Sequence, residues 1–222
     1  MQDFKGDIMQ NLLNFLLTCS ISINSLGIYR DVSFIDDTIE KVEYKIEQDR
    51  LKELEVQRIR FEEEMELTRK LNVGFDPYDL TVPSNITYEE LYNVLEGTGL
   101  EDIATSLVDS ECYNVNSFIL CSIVALESSW GKSQKALNYN NLGGVGVYND
   151  NTVGAIYSSR SECIFSMAEF LSKDYLSADG VYFNGYSIWD VNIKYCASSN
   201  WADKVLVIAN QLLSKYKEIY LK

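Results

Sequence analysis

Asn116-Ser-Phe-Ile-Leu-Cys-Ser-Ile-Val-Ala-Leu-Glu127 is the stretch that decides how the rest of the chain is read. Asn116 suits a helix N-cap, because its side-chain oxygen can accept from the orphan N–H groups of a first turn. Residues 117–126 carry no charge, and a helix that is apolar on nearly every face belongs inside a core. Glu127 is the first charge after them. Burial there would desolvate its carboxyl and hold it protonated near neutrality, and a protonated carboxyl beside a cleft is a general acid. The other reading is an ordinary glutamate at the solvated end of a helix. That placement opposes the helix dipole, so it is a poor structural choice.

The composition narrows the chemistry around that residue. The chain has 222 residues, 46% hydrophobic and 23% charged, which is enough apolar surface for a folded core. It has no histidine, which excludes Ser-His-Asp, Cys-His and His-metal mechanisms. The five cysteines, Cys19, Cys112, Cys121, Cys163 and Cys196, show no C-x-x-C spacing, so no metal site is expected. Their neighbours are apolar, which favours small buried thiols. The net charge of −14 argues against a duplex nucleic-acid partner, which would require clustered Lys and Arg. Carboxylate acid–base chemistry is what remains, with no cofactor.

Three segments precede this region. Residues 8–29 are uncharged but interrupted by Asn, Gln, Ser and Thr. They read as a packed or oligomeric helix, with membrane contact as the alternative. The flanking charges and the missing A-x-A site do not suit a signal peptide. Residues 36–70 hold twelve acids and eight bases, with apolar Ile35, Ile39, Val42 and Ile46 in heptad steps and a phase slip before Leu51, Leu54, Phe61 and Met65. This pattern predicts one long amphipathic helix, in a coiled coil or against a partner. Residues 1–71 therefore form an N-terminal attachment or oligomerisation segment. Both prolines, Pro77 and Pro83, fall in residues 72–85, read as a linker. Residues 86–222 form the remaining domain.

That domain is mainly helical. Thr87-Tyr-Glu-Glu90 is a capping box opening a helix that ends near Gly97. Further helices are expected from about Leu100 to Glu111, from Ser117 to Glu127, from Ser161 to Tyr175 and from Trp201 to Tyr220. Val145 to Tyr148 and Thr152 to Tyr157 flank Asn149-Asp-Asn151, which predicts a small β-hairpin.

Four blocks carry a resemblance. They are Ala125-Leu-Glu-Ser-Ser-Trp-Gly-Lys-Ser133, then Asn140-Asn-Leu-Gly-Gly144, then Tyr157-Ser-Ser-Arg-Ser-Glu-Cys-Ile164, and Tyr195-Cys-Ala-Ser-Ser-Asn-Trp-Ala-Asp-Lys-Val205. In this order they resemble the glucosaminidase domain of glycoside hydrolase family 73, in the lysozyme-like superfamily, over about residues 88–221. The resemblance implies a two-lobed helical fold and a cut at a β-1,4 bond of the bacterial peptidoglycan glycan. It implies Glu127 as the acid on the leaving oxygen and Tyr195 across the cleft from it.

The second carboxylate departs from the family pattern. Asp150 is the sole acid between Asn140 and Ser161, and Glu162 matches a position at the start of the next helix. The candidates are Asp150, Glu162, or no protein base, with the substrate's N-acetyl or 6-hydroxyl group as internal nucleophile. Tyr148, Tyr157, Tyr182, Tyr186 and Trp189 suit a sugar cleft, since aromatic faces stack on pyranose rings. Trp130 and Trp201 match family positions read as packing. Asn141 and Gly143 are expected at the glycan, with glycine serving either positive φ or close approach. The alternatives are a lytic transglycosylase or muramidase on the same fold, or an inactive scaffold. The long helix suggests docking through residues 8–70 to a virion tail or secretion assembly, on the cell-wall side.

Overall fold

The computed structural model describes residues 33–147, 149 and 152–222, with side chains from 37 onward. The uncharged segment 8–29, Tyr148 and Asp150 lie outside the described residues. Two units separate, Met1–Glu62 and Glu63–Lys222.

The described part of the first unit is helical, within α1 (Ser33–Leu71). No glycine or proline interrupts it. Its surface is laced by neighbouring-turn ion pairs, Arg58 with Glu55 at 2.6 Å and with Glu62 at 3.1 Å. Such exposed pairs each add only tenths of a kcal/mol. Leu51, Leu54 and Phe61 of the expected apolar seam are exposed in the single chain.

The second unit carries α2 (Tyr88–Leu95), α3 (Ala104–Asp109), α4 (Ser117–Ser128), α5 (Gln134–Tyr139), α6 (Arg160–Phe170), α7 (Ile188–Tyr195) and α8 (Trp201–Tyr220). Short 3₁₀ turns at 101–103 and 110–113 flank α3, and a π turn, Leu171–Tyr175, extends α6. Every residue of α4 from Ser117 to Ala125 is buried, as its all-round apolar sequence requires. It lies along α8, which contributes Val205, Ala209, Leu212 and Tyr216 to the core. The Thr87 capping box is present: the Thr87 hydroxyl accepts from Glu90 N, and the Glu90 carboxylate accepts from Thr87 N at 2.9 Å.

Residues 72–85, expected as a linker, are instead built into this unit. Val73, Leu80 and Ser84 are buried. The reason is Asn116. Its Oδ1 accepts from Phe118 N and Ile119 N and caps α4, while its Nδ2 donates to Gly74 O and Val82 O, both at 2.9 Å. Asn116 N donates to Leu80 O. Glu111 Oε1 adds a second anchor, accepting from Ser84 N and Ser117 N. The prolines forbid helix but not burial. The last turn of α1 is tied in as well, because Arg69 forks onto both oxygens of buried Glu90 at 2.6 and 2.9 Å.

The expected hairpin is not a strand pair among the described residues. Among the described residues, one backbone bond, Ala155 N to Val145 O at 2.8 Å, crosses the loop. The side chain of Asn141 supplies the rest: its Nδ2 donates to Val145 O and Ala155 O, and its Oδ1 accepts from Val145 N. A side-chain hub has replaced the ladder.

Candidate active site

Glu127 stands in the last turn of α4, half-buried. Desolvation pushes its carboxyl above the usual glutamate range, against the opposing effect of one hydrogen bond. That bond comes from Trp201 at the start of α8, whose indole Nε1 donates to Oε1 at 2.8 Å. Trp201 is buried, as its reading as packing expected, but its polar edge is directed at the one carboxylate of α4. A tryptophan N–H has no means to accept, so it can serve only an oxygen lone pair. The role of Trp201 toward Glu127 was not visible from the Tyr195–Val205 block. The only signal was that a buried indole must find an acceptor.

Tyr195, from the end of α7, stacks on Trp201 with ring centroids 4.6 Å apart. Burial raises its hydroxyl pKa first, and the Glu127 charge raises it further, so the phenol stays neutral. Glu127, Trp201 and Tyr195 are therefore brought together from three helices. Tyr175 of the π turn packs on Tyr195 at 5.6 Å, and exposed Tyr182 packs on Tyr175 at 5.1 Å.

The chain leaves α4 through an unusual turn. Ser129, Trp130 and Gly131 all have positive φ, at 52°, 59° and 76°. Non-glycine residues in this region each cost on the order of 1 kcal/mol, so surrounding bonds must hold them. Trp130 N donates to Ala125 O, Gly131 N to the Ser128 hydroxyl at 2.7 Å, and Ser133 N to Ser128 O. A Cβ at Gly131 would lie 2.4 Å from Gly99 O, which also accepts from Arg160 Nη2 at 2.5 Å. The glycine of the Ser-Trp-Gly run is thus needed for both φ and close approach.

Several expected site residues are occupied elsewhere. Asn141 is buried, and its amide is engaged with the loop it holds, through both Nδ2 donors and one bond to Oδ1. Gly143 serves packing: a Cβ there would meet the Met167 side chain at 2.6 Å, while positive φ falls on Gly144 at 61°. Tyr157 is half-buried against the core, its hydroxyl 3.5 Å from Ser166. Tyr186 is exposed and packs on Phe183 at 5.3 Å. Glu162 is an N-terminal-turn residue, accepting from Ser158 N and the Ser158 hydroxyl, both at 2.6 Å, and these bonds lower its pKa. It is committed to the start of α6. Among the described residues no cluster of acids and thiols could hold a metal. Cys121 and Cys163 are buried free thiols, and burial pushes Cys121 up to about 12.

Known proteins resemble this chain in sequence and in fold. Residues 106–214 match the family model for Glucosaminidase, described as mannosyl-glycoprotein endo-beta-N-acetylglucosaminidase. Two Streptococcus pneumoniae proteins, each named "Putative endo-beta-N-acetylglucosaminidase", are 26% identical over 157 residues, which is 66% of this chain. The chain spans 23% and 22% of their lengths. The fold is similar to that of Staphylococcus aureus autolysin E. A catalytic mutant of that protein in complex with the disaccharide NAG-NAM aligns with a TM-score of 0.53 at 24% identity, covering 68% of this chain and 76% of that one. A second structure of it, in complex with the muropeptide NAM-L-ALA-D-iGLU, aligns with a TM-score of 0.51 at 24% identity, over 69% and 78% of the two chains.

Proposed function

Residues 106–214 belong to the glucosaminidase family, glycoside hydrolase family 73, and from that premise we propose that this protein hydrolyses β-1,4 bonds in the glycan of bacterial peptidoglycan, as an N-acetylglucosaminidase. The observation that carries the reading is Glu127: a desolvated carboxyl at the end of an apolar helix, held by Trp201 and beside neutral Tyr195. Glu127 protonates the leaving glycosidic oxygen. Tyr195, neutral throughout the working pH range, orients the N-acetyl group of the bound sugar. The substrate faces the cell wall, so the site of action is extracellular or wall-facing. The helical segment through residue 62 attaches the enzyme to its own copies or to a larger assembly, a virion tail or a secretion apparatus.

With Glu162 committed to the start of α6, the attack on the anomeric carbon has two sources. One is water activated by Asp150, which requires roughly 6.5–9.5 Å between the two carboxyls. The other is the substrate's own N-acetyl or 6-hydroxyl group, the latter giving an anhydro product as in a lytic transglycosylase. Mass spectrometry of digested muropeptides distinguishes the bond and the product together. Glu127→Gln is expected to lower kcat by about 10²–10⁴ while the fold persists. Asp150→Asn is expected to cost under about tenfold if the nucleophile is internal, and about 10²–10⁴ if Asp150 is the base. A wild-type chain that binds peptidoglycan without releasing fragments would favour an inactive scaffold on the same fold.

A further inference from the structure

We propose that Trp201 is a positioning residue that decides which oxygen of Glu127 carries the catalytic proton, by reserving Oε1 as an acceptor and leaving the proton to Oε2. This rests on the reading of Glu127 as the general acid. The indole N–H lies 2.8 Å from Oε1 and can only donate. If the neutral carboxyl placed its proton on Oε1, the indole would face a hydroxyl oxygen, a weaker acceptor than the carbonyl oxygen, and the hydrogen bond would be weakened. The proton therefore resides on Oε2, which has no hydrogen-bond donor among the described residues. Without the indole, the two oxygens would share the proton, and a carboxyl rotation would be needed to present it.

The donor is held rigidly. Trp201 is the first residue of α8 and is buried, with Tyr195 on its face. The loop before it is braced by buried Asn192: its Nδ2 donates to Cys196 O and Ser198 O at 3.2 and 3.0 Å, and its Oδ1 accepts from Ala202 N at 3.1 Å. Trp201 N donates to Ser198 O. A donor fixed before the reaction costs no reorganisation during it. The titratable group facing Glu127 from α7 is Tyr195, itself ringed by Tyr175, Cys163 and Cys196. Burial raises the pKa of Tyr195, Tyr175 and Cys163, so these three stay neutral across the acid range and do not compete for the titration.

The test uses the full chain and the indole N–H resonances of its three tryptophans. One signal, absent in Trp201→Phe, is expected to move with pH about a midpoint above the ordinary glutamate value, and to stop moving in Glu127→Gln. Trp201→Phe should lower kcat about tenfold with KM within about twofold. It should also move the alkaline limb of the rate profile up by about one pH unit, because the lost bond favoured the charged form. Benzothienylalanine at position 201 keeps the ring size without the N–H, so the same changes there exclude a cavity effect. An indole signal indifferent to pH would overturn the proposal, as would a benzothienylalanine variant with the wild-type profile. A Trp201 signal that titrates with Glu127, in a chain that releases no glycan fragments, would uphold the proton's placement and sink the hydrolase reading.

Discussion

At the scale of single residues, the chemistry depends on an unfavourable arrangement. Glu127 is raised by desolvation, so folding favours its neutral form. The linkage follows: its contribution to stability is full below the unfolded glutamate pKa of about 4.3 and is lost as pH rises through the higher folded value. Activity, which needs the proton, should decline over the same upper limb. Glu127→Gln is therefore expected to raise the melting temperature relative to wild type at pH 8 and to change it little at pH 3.5. Thermal unfolding at the two pH values checks this, and an equal shift at both would remove desolvation as the cause. Gly131 is the second sensitive residue. Gly131→Ala adds a Cβ 2.4 Å from Gly99 O at a φ of 76°, and is expected to destabilise by about 2–3 kcal/mol in denaturant unfolding.

At the scale of elements, α4 is held at both ends by polar groups that its apolar body cannot supply. Asn116 caps its start and grips Gly74 and Val82, while the turn at 129–131 closes its end under Ser128. Asn116→Ala removes an N-cap and takes the buried Nδ2 donor away from the Gly74 and Val82 carbonyls. The expected loss is about 2–4 kcal/mol, more than an exposed cap would cost. Measured destabilisation under about 1 kcal/mol would mean that the 72–85 segment is held by its apolar residues alone. The π turn at Leu171–Tyr175 matters at this scale too. It widens the backbone so that Asp174 O accepts from Tyr182 N, which brings Tyr175 between Tyr182 and Tyr195.

At the scale of the whole molecule, the packed unit begins at Glu63 rather than at residue 86. Arg69 neutralises Glu90, whose side chain is 6% exposed; burial alone would raise that carboxyl, but the Arg69 and Thr87 bonds outweigh it and lower its pKa. A chain starting at Glu63 is expected to fold cooperatively and retain hydrolysis. One starting at Ser84 lacks Arg69, Val73 and Leu80 and is expected to be strongly destabilised or unfolded, because it loses the Arg69–Glu90 pair together with the apolar residues buried beside it. Circular dichroism melts and muropeptide release on both truncations check this. Equal stability of the two would show that residues 63–83 are dispensable. Glu90 also gives the opposite pH signature to Glu127: with its folded pKa depressed, its contribution is full above the unfolded value and is lost as pH falls through the folded one.

Much of this was determined by sequence alone. The absence of histidine, the uncharged run before Glu127 and the capping residues Asn116 and Thr87 are local facts, and local facts survive folding. They were enough to predict a buried helix ending in a desolvated acid within a mainly helical domain. What only tertiary structure decided were the pairings across long separations. Asn141 became the hub of the loop because its amide found three backbone partners. Residues 72–85 became core because Asn116, more than thirty residues later, supplied the donors for Gly74 and Val82. Trp201 came to face Glu127 because α8 lies along α4, which places its indole 74 positions away in sequence within 2.8 Å of the carboxylate. A hydrogen bond depends on direction and distance in space, and neither is written in the order of the residues.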